Sequence, residues 1–397
     1  MIMIGEVDIM KEFFGNCINE SENGFITAEE ISQQPFLWEQ VLEIFIDKKE
    51  DFEKYLFNKL EDKDLRIIFT GAGTSAYIGE VLVPYLLYKK NIFSEYIPTT
   101  DLVTSPEKYL LREKSTLLIS FGRSGNSPES IAAIDIAESY IDDLFNIIIT
   151  CNNEGELYKR FKNSEKDLTI LMPEKSNDRG FAMTGSFSSM LLSAMILFDI
   201  DNFELYKKDI NLISKRAEKI IEEDYKKIKN ICNFKSNRVV FLGSDILKGF
   251  IRETRLKVLE LTSGRKESSF ETFLGFRHGP KSILNEETDI FFYLNVDDFT
   301  NKYEIDLIDE IKSQNNYKNI LICDPKGFKN IKDYTEFYFD FSDIYEDLNI
   351  KELIYFDYLV LAQIYAFISS VLLEINPDNP SPNGQVNRVV KGVKIYK

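Results

Sequence analysis

Three short runs rich in Ile, Val and Phe recur along this chain at one fixed separation, and that repeat restricts the possible folds more than any other feature. Arg66-Ile-Ile-Phe-Thr-Gly71 matches Arg238-Val-Val-Phe-Leu-Gly243. Thr116-Leu-Leu-Ile119 matches the run that begins at Thr288, and Asn146-Ile-Ile-Ile-Thr-Cys151 matches the run that ends Ile320-Leu-Ile-Cys323. The step from Arg66 to Arg238 is the same as that from Thr116 to Thr288 and from Cys151 to Cys323. A single match of this kind is common, but a shared offset argues that a whole domain has been duplicated. Longer helical patterns separate the runs, the alternation expected of βαβ units and parallel sheets. Each copy is therefore expected to be α/β: an open, mostly parallel sheet with helices on both faces. Such sheets bind ligands at the carboxyl ends of their strands.

A length of 397 residues accommodates the two copies with room for flanking segments. The expected division is an N-terminal helical segment (1–50), a first α/β domain (51–202), a second (203–375) and a tail (376–397). The helical pattern of the first segment runs on to about residue 60, with Thr27-Ala-Glu-Glu30 as a capping box and Pro35 as an interruption.

Composition removes several classes of function. With 65 acidic and 48 basic side chains the net charge is −17, which repels nucleic acid, and no basic patch stands out. Apolar runs such as Ile147 to Ile149 and Val371 to Leu373 are too short to cross a bilayer, and no export signal is read at the start. The cysteines, Cys17, Cys151, Cys232 and Cys323, are far apart, as expected of reduced thiols in the cytoplasm. One histidine, His278, leaves too few ligands for a zinc site, and no metal or other cofactor is expected. The same negative charge repels a phosphate at long range, so a phosphate site here has to use local N–H and hydroxyl donors.

Such donors cluster at two strand ends of the first copy. The run ending at Phe69 leads into Thr70-Gly-Ala-Gly73-Thr-Ser75-Ala76 and an apolar helix; Gly71 and Gly73 permit a tight turn, and Thr74 and Ser75 stand at a helix N-terminus, where anions bind well. Alone, this segment also nearly fits a dinucleotide fingerprint, with Glu95 or Asp101 as the ribose acid. The next strand, ending at Ser120, leads into Phe121-Gly-Arg-Ser124-Gly125-Asn126-Ser127-Pro128. Ser124, Asn126 and Ser127 add side-chain donors, Gly125 exposes amides, Pro128 suits a first helical position, and Arg123 is a further partner. Two adjacent cradles suit one phosphate monoester; the plainer alternative is that Ser124 and Ser127 are ordinary helix caps.

GAGTSAY and SFGRSGNSPES resemble the two phosphate-binding motifs of the sugar isomerase (SIS) domain family, known from the isomerase part of glucosamine-6-phosphate synthase. Glu30-Ile-x-x-Gln34-Pro35 is similar to a segment ahead of the first domain in that family. Asn177-Asp-Arg-Gly-Phe-Ala-Met-Thr184, Gly275-Phe-Arg-His-Gly-Pro-Lys-Ser282 and Pro377-Asp-Asn-Pro-Ser-Pro382 resemble a narrower group, the galactosamine-6-phosphate deaminases or tagatose-6-phosphate ketose/aldose isomerases. The likeness runs from about residue 25 to the C-terminus. It implies two tandem SIS domains, each a three-layer αβα unit, and a phosphate site drawn from Gly73, Thr74, Ser75, Ser120, Arg123, Ser124, Asn126, Ser127 and Thr184.

In the second copy Leu294-Asn-Val-Asp-Asp298 replaces the serine-rich loop, and its aspartates repel phosphate, so this half is expected to supply the chemistry. Glu253 and Glu260 lie seven apart on one helix face, which by pattern alone reads as a solvated acidic stripe. By resemblance, Leu256-Lys-Val-Leu-Glu260 looks like the helix that carries the isomerase base in the synthase, with two extra residues between Glu260 and His278. The resemblance gives His278 the role of ring opening in a neighbouring subunit, hence a homodimer with shared sites, and makes the tail a cover over the sugar with Lys391 near the synthase's terminal lysine. The expected reaction is conversion of galactosamine 6-phosphate to tagatose 6-phosphate and ammonia. The sequence contains no glutaminase domain ahead of the repeat, which favours deamination over amination. Plain aldose–ketose isomerisation, a non-catalytic sugar-phosphate sensor and a nucleotide-dependent dehydrogenase are the alternatives.

Overall fold

The computed structural model describes residues 10–233, 235–390 and 392–396. A two-stranded antiparallel hairpin comes first, β1 (Met10–Phe13) and β2 (Asn16–Asn19), so the N-terminal segment is not wholly helical. The first parallel sheet contains β3 (Arg66–Thr70), β4 (Glu95–Tyr96), β5 (Thr116–Gly122), β6 (Leu144–Thr150) and β7 (Leu168–Leu171) in the order β4-β3-β5-β6-β7. The second contains β8 (Arg238–Gly243), β9 (Glu267–Glu271), β10 (Thr288–Tyr293), β11 (Asn319–Asp324) and β12 (Phe337–Asp340) in the order β9-β8-β10-β11-β12. The two orders are the same. Strands such as β5, buried along its whole length, are apolar on both faces because helices cover both.

The duplication extends to the pairing itself. Arg66 faces Thr116 in the first sheet, and their counterparts in the repeat, Arg238 and Thr288, face each other in the second. The third strand is displaced, however. Leu117 faces Phe145, and the spacing of the other strands would put Tyr317 opposite Asp289; Asn319 stands there instead, two positions further on. Apolar content located the strand, but register is set by pairing, and two inserted residues shift it.

The halves meet through equivalent helices, Thr74–Lys90 after β3 and Leu247–Leu261 after β8. Gly249 makes the crossing possible: a Cβ there would lie 2.5 Å from Val81 Cγ2 and 2.9 Å from the Tyr77 carbonyl oxygen. Arg252 pairs with Glu80 beside it at 2.9 Å. The helices Gly185–Phe198 and Tyr355–Leu372 form the centre of the main core. Among the described residues one helix, Lys351–Leu372, is long and apolar enough to cross a membrane, but 94% of its apolar 18-residue window is buried inside the fold. Asp357, Gln363 and Ser369 interrupt its apolar run, which is why short uninterrupted stretches did not reveal it.

The first helix, Phe25–Ser32, follows Gly24, and Thr27 lies inside it, so Thr27 and Glu30 do not form a capping box. Its cap comes from the far end of the chain. Asp378 accepts hydrogen bonds from the Gly24, Ile26 and Thr27 amides at 2.9, 3.3 and 2.7 Å and from the Thr27 hydroxyl at 2.7 Å. A second helix, Gln34–Leu60, begins at the break, with Pro35 in its first turn.

Candidate functional site

Thr70 and Ser120 face each other across β3 and β5, so the loops that follow them open at the same sheet edge. Gly73 takes φ +55° just before the helix that begins at Thr74, and a Cβ on it would meet nothing within 4 Å. That side of the turn is open. Gly125 takes φ +62° in the second loop, and a Cβ there would be 3.2 Å from Thr150 Oγ1, so the loop is packed on the end of β6. Asn152 holds it from that side, donating to the Ser124 carbonyl at 2.9 Å.

The hydroxyls of Ser120 and Thr70 are buried without a hydrogen-bond partner among the described residues, an unusual state for buried polar groups. Ser124 accepts from the Asn126 amide at 3.3 Å, and the Asn126 side-chain oxygen accepts from the Glu156 amide at 2.9 Å. Ser127 caps the helix Pro128–Tyr140 through the Ser130 amide, so its capping role is real. Ser75 Oγ lies 4.0 Å from Met183 Sδ, which brings the Asn177–Thr184 loop to the first cradle. Arg123, 7% exposed, donates to the carbonyls of Phe181 (3.4 Å) and Arg388 (2.7 Å).

Thr184 is turned toward its own loop. Its amide and hydroxyl donate to Asp178, which also accepts from the amides of Gly185 and Ser186 at 3.2 and 3.0 Å and so caps the helix Gly185–Phe198. Glu30 supports the same loop by accepting from the Arg179 and Gly180 amides. Burial, followed by the charge of Asp178, pushes the Glu30 carboxyl up to about 8.

A buried cluster then links the first cradle to the second half. Thr74 Oγ1 donates to Glu253 at 2.7 Å, and Lys257 Nζ lies 3.2 Å from Glu253, 2.7 Å from Glu260 and 3.3 Å from Thr74 Oγ1. Glu253 and Lys257 are fully buried, whereas the Glu260 side chain is 25% exposed. Burial alone would lower the Lys257 ammonium, but the two carboxylates outweigh it and hold its pKa above the usual lysine value. Burial raises Glu253 to about 7, with the charge of Lys257 opposing and that of Glu260 adding.

Spacing puts Glu253 and Glu260 on one helix face but assigns no role to Lys257 or Glu253. The available signal was the i, i+3 and i, i+4 spacing of Lys257 to the two acids. His278 is exposed in the turn after β9, and among the described residues its side chain makes no hydrogen bond or ion pair, so the structure does not join it to Glu260 within one chain. Lys391 lies outside the described residues. Glu95, one candidate ribose acid, is held by Arg66 at 2.6 Å.

Residues 59–199 match the SIS domain family. Over 375 residues, 94% of this chain and 92% of the relative, the sequence is 39% identical to D-galactosamine-6-phosphate deaminase AgaS of Shewanella sp. (strain ANA-3). It is 35% identical to the D-galactosamine-6-phosphate deaminase AgaS of Escherichia coli over 94% of this chain and 96% of the relative. Among solved structures, one from Clostridium novyi NT assigned as a tagatose-6-phosphate ketose/aldose isomerase is 44% identical, with a TM-score of 0.92 over 98% of this chain and all of that one. The tagatose-6-phosphate ketose/aldose isomerase of Escherichia coli is 33% identical, with a TM-score of 0.85 over 94% of this chain and 97% of that one.

Proposed function

Since the chain belongs to the D-galactosamine-6-phosphate deaminase family of tandem SIS-domain enzymes, we propose that its site converts D-galactosamine 6-phosphate to D-tagatose 6-phosphate and ammonia. The observation that carries this reading is the buried Thr74–Glu253–Lys257–Glu260 cluster, which joins a helix N-terminus suited to a phosphate to a half-open carboxylate suited to proton transfer. The phosphate is held by amides and hydroxyls of Gly73, Thr74, Ser75, Ser120, Ser124, Asn126 and Ser127, with Arg123 as the cation. The unpartnered Ser120 hydroxyl supports this, since a bound oxyanion gives it an acceptor.

The chemistry follows from the other half. After ring opening, Glu260 takes the proton from C2 of the 2-amino aldehyde and returns it to C1, while O1 gains the proton that the amino nitrogen gives up, leaving an imine at C2 and a hydroxyl at C1. Water adds to the imine, ammonia departs, and the C2 ketone of tagatose 6-phosphate remains. Lys257, 2.7 Å from Glu260, holds that carboxylate in place. Exposed His278 opens the ring in the site of a second copy, so the working unit is a homodimer; its lack of partners among the described residues of its own chain supports that role. Thr184 shapes the sugar pocket through its loop, and Lys391 closes over the sugar. The boundaries follow the repeat: a leading segment to residue 50, the phosphate-binding domain at 51–202, the chemical domain at 203–375 and the tail beyond. The enzyme works in the cytoplasm, where its phosphorylated substrate is retained.

Ammonia release by the purified protein from galactosamine 6-phosphate, against glucosamine 6-phosphate and the matched hexose 6-phosphates, tests the reading. Release with the galacto epimer, abolished in Glu260→Gln, supports it. Interconversion of hexose phosphates without ammonia from either amino sugar refutes it in favour of the plain isomerase named for the structural relatives.

A further inference from the structure

The tail and the second phosphate loop are joined by two arginines. Arg388 donates through Nε to the Asp178 carbonyl at 2.9 Å and through Nη2 to the same oxygen, with Asn177 Oδ1 at 3.5 Å. Its own carbonyl accepts from Arg123 Nη2 at 2.7 Å. Asp378 fixes the near end of the same strap on the Gly24–Thr27 turn. Every acceptor used by these two guanidiniums is a neutral carbonyl or amide oxygen, and among the described residues neither forms an ion pair. In a chain of net charge −17, Arg66, Arg179, Arg252 and Arg277 rest on carboxylates; Arg255 and Arg265 also donate to carbonyls, but Arg123 and Arg388 are set apart because the two unpaired guanidiniums are neighbours. Each guanidinium carries five N–H donors in a plane that matches phosphate oxygens, and the contacts above leave donors over on both. Burial, and then the charge of Arg123, lowers the Arg388 pKa, as expected of two like charges brought together before an anion arrives.

We infer that Arg388 is a positioning residue of the phosphate site: anchored on the Asp178 loop, it uses its carbonyl to set Arg123, and the tail thereby completes a cationic wall for a phosphate monoester. The inference rests on the proposed placement of the phosphate at the Ser120–Ser130 loop and adds the residue that holds its cation.

The test is calorimetric titration of the whole protein with inorganic phosphate, paired with steady-state kinetics on galactosamine 6-phosphate, for wild type, Arg388→Ala and Arg388→Lys. Arg388→Ala should weaken phosphate binding and raise KM by about ten- to a hundred-fold, the value of a hydrogen bond to a charged group, while kcat changes by less than about threefold. Arg388→Lys keeps the charge but not the forked contact and should recover part of the loss. If Arg388→Ala does not fold, Arg388→Lys decides alone: a weakening of phosphate binding by about threefold or more supports the inference, and unchanged binding overturns it. A folded Arg388→Ala with unchanged phosphate affinity and KM, or with a fall confined to kcat, also overturns it. The calorimetry does not depend on turnover. Phosphate binding that weakens in Arg388→Ala while no hexosamine phosphate reacts would refute the proposed reaction and keep the inference, and turnover with unaltered phosphate binding would do the reverse.

Discussion

Lys257 is the residue on which the cluster between the two halves depends, and Lys257→Met tests that dependence. The ammonium lies 3.2 Å from Glu253 and 2.7 Å from Glu260. At an effective dielectric constant of about 20 each contact represents roughly 5 to 6 kcal/mol of gross attraction, most of it offset by desolvating the charges. Removing one partner of a buried pair strands the other and costs about 3 to 5 kcal/mol. Methionine keeps the volume, so the loss is electrostatic. Because Glu253 titrates at about 7, the loss should be smaller at pH 6, where that acid is protonated, and larger at pH 8, where it is not. Urea unfolding at the two pH values measures this. Adding Glu253→Gln removes the stranded charge and should restore at least about 2 kcal/mol, since Thr74 can donate to the amide oxygen as it does to the carboxylate. Lys257→Met also removes the cation 2.7 Å from Glu260, and kcat/KM on galactosamine 6-phosphate should fall by about tenfold or more. The account is refuted if Lys257→Met loses under about 1 kcal/mol, or if the double variant is no more stable than the single one.

Four further outcomes follow from other contacts. Asp378→Ala removes the cap on Gly24, Ile26 and Thr27 and should cost about 1 to 2 kcal/mol, with faster amide exchange confined to that turn and the tail. Glu30 carries a folded pKa of about 8, above its unfolded value of 4.5; the folded chain therefore binds the extra proton between those limits, and stability from this group is present below pH 4.5 and lost as pH rises through about 8. Glu30→Gln should flatten that slope in unfolding measurements between pH 5 and 8, and an unchanged slope would count against the buried acid. Gly249→Val drives methyl groups into Val81 and the Tyr77 carbonyl and should destabilise by about 1 to 3 kcal/mol or more, whereas the same change at Gly264, where a Cβ meets nothing, costs only its backbone conformation. Glu260→Gln and His278→Ala should each be inactive alone, and refolding them together should regain activity if the histidine serves a second copy; a mixture as dead as its parents removes the shared site.

The strands were readable because a parallel strand buried on both faces has to be apolar along its length, and the offset between copies needed only that property. Register was less readable, as the two-residue displacement of β11 shows, because apolar runs slide freely until they are paired. Thr74 and Ser75 were placed correctly at a helix start by the glycines before them, a local signal. Thr27 and Glu30 carried an equally good local signal for a capping box and did something else. Thr27 binds Asp378, 351 residues away, and Glu30 binds a loop about 150 residues away, so tertiary partners displaced the local motif. Glu260 is singled out by family likeness alone; that its neighbour Lys257 also reaches Thr74, 183 residues earlier, is a contact no spacing rule records.

Duplication accounts for the division of work proposed for the two halves. Asp245 is the counterpart of Gly73 in the repeat and takes φ +57°, almost the +55° of the glycine, so the second copy keeps the turn while putting a carboxylate where the first has open space. The helix after β10 is capped by Asp297, where the helix after β5 is capped by the neutral Ser127. Glu304 is fully buried behind it, its carboxyl raised to about 7 by desolvation. Backbone amides aimed at the strand ends would attract an anion in either half, but in the second half the carboxylates occupy or oppose that field. Equivalent backbones therefore differ in charge at their strand ends, which favours the first half for the proposed phosphate. In the proposed reaction the sugar attached to that phosphate extends toward the helix Leu247–Leu261, which the Gly249 crossing holds against the helix that begins at Thr74, and the base needs to be supplied only once.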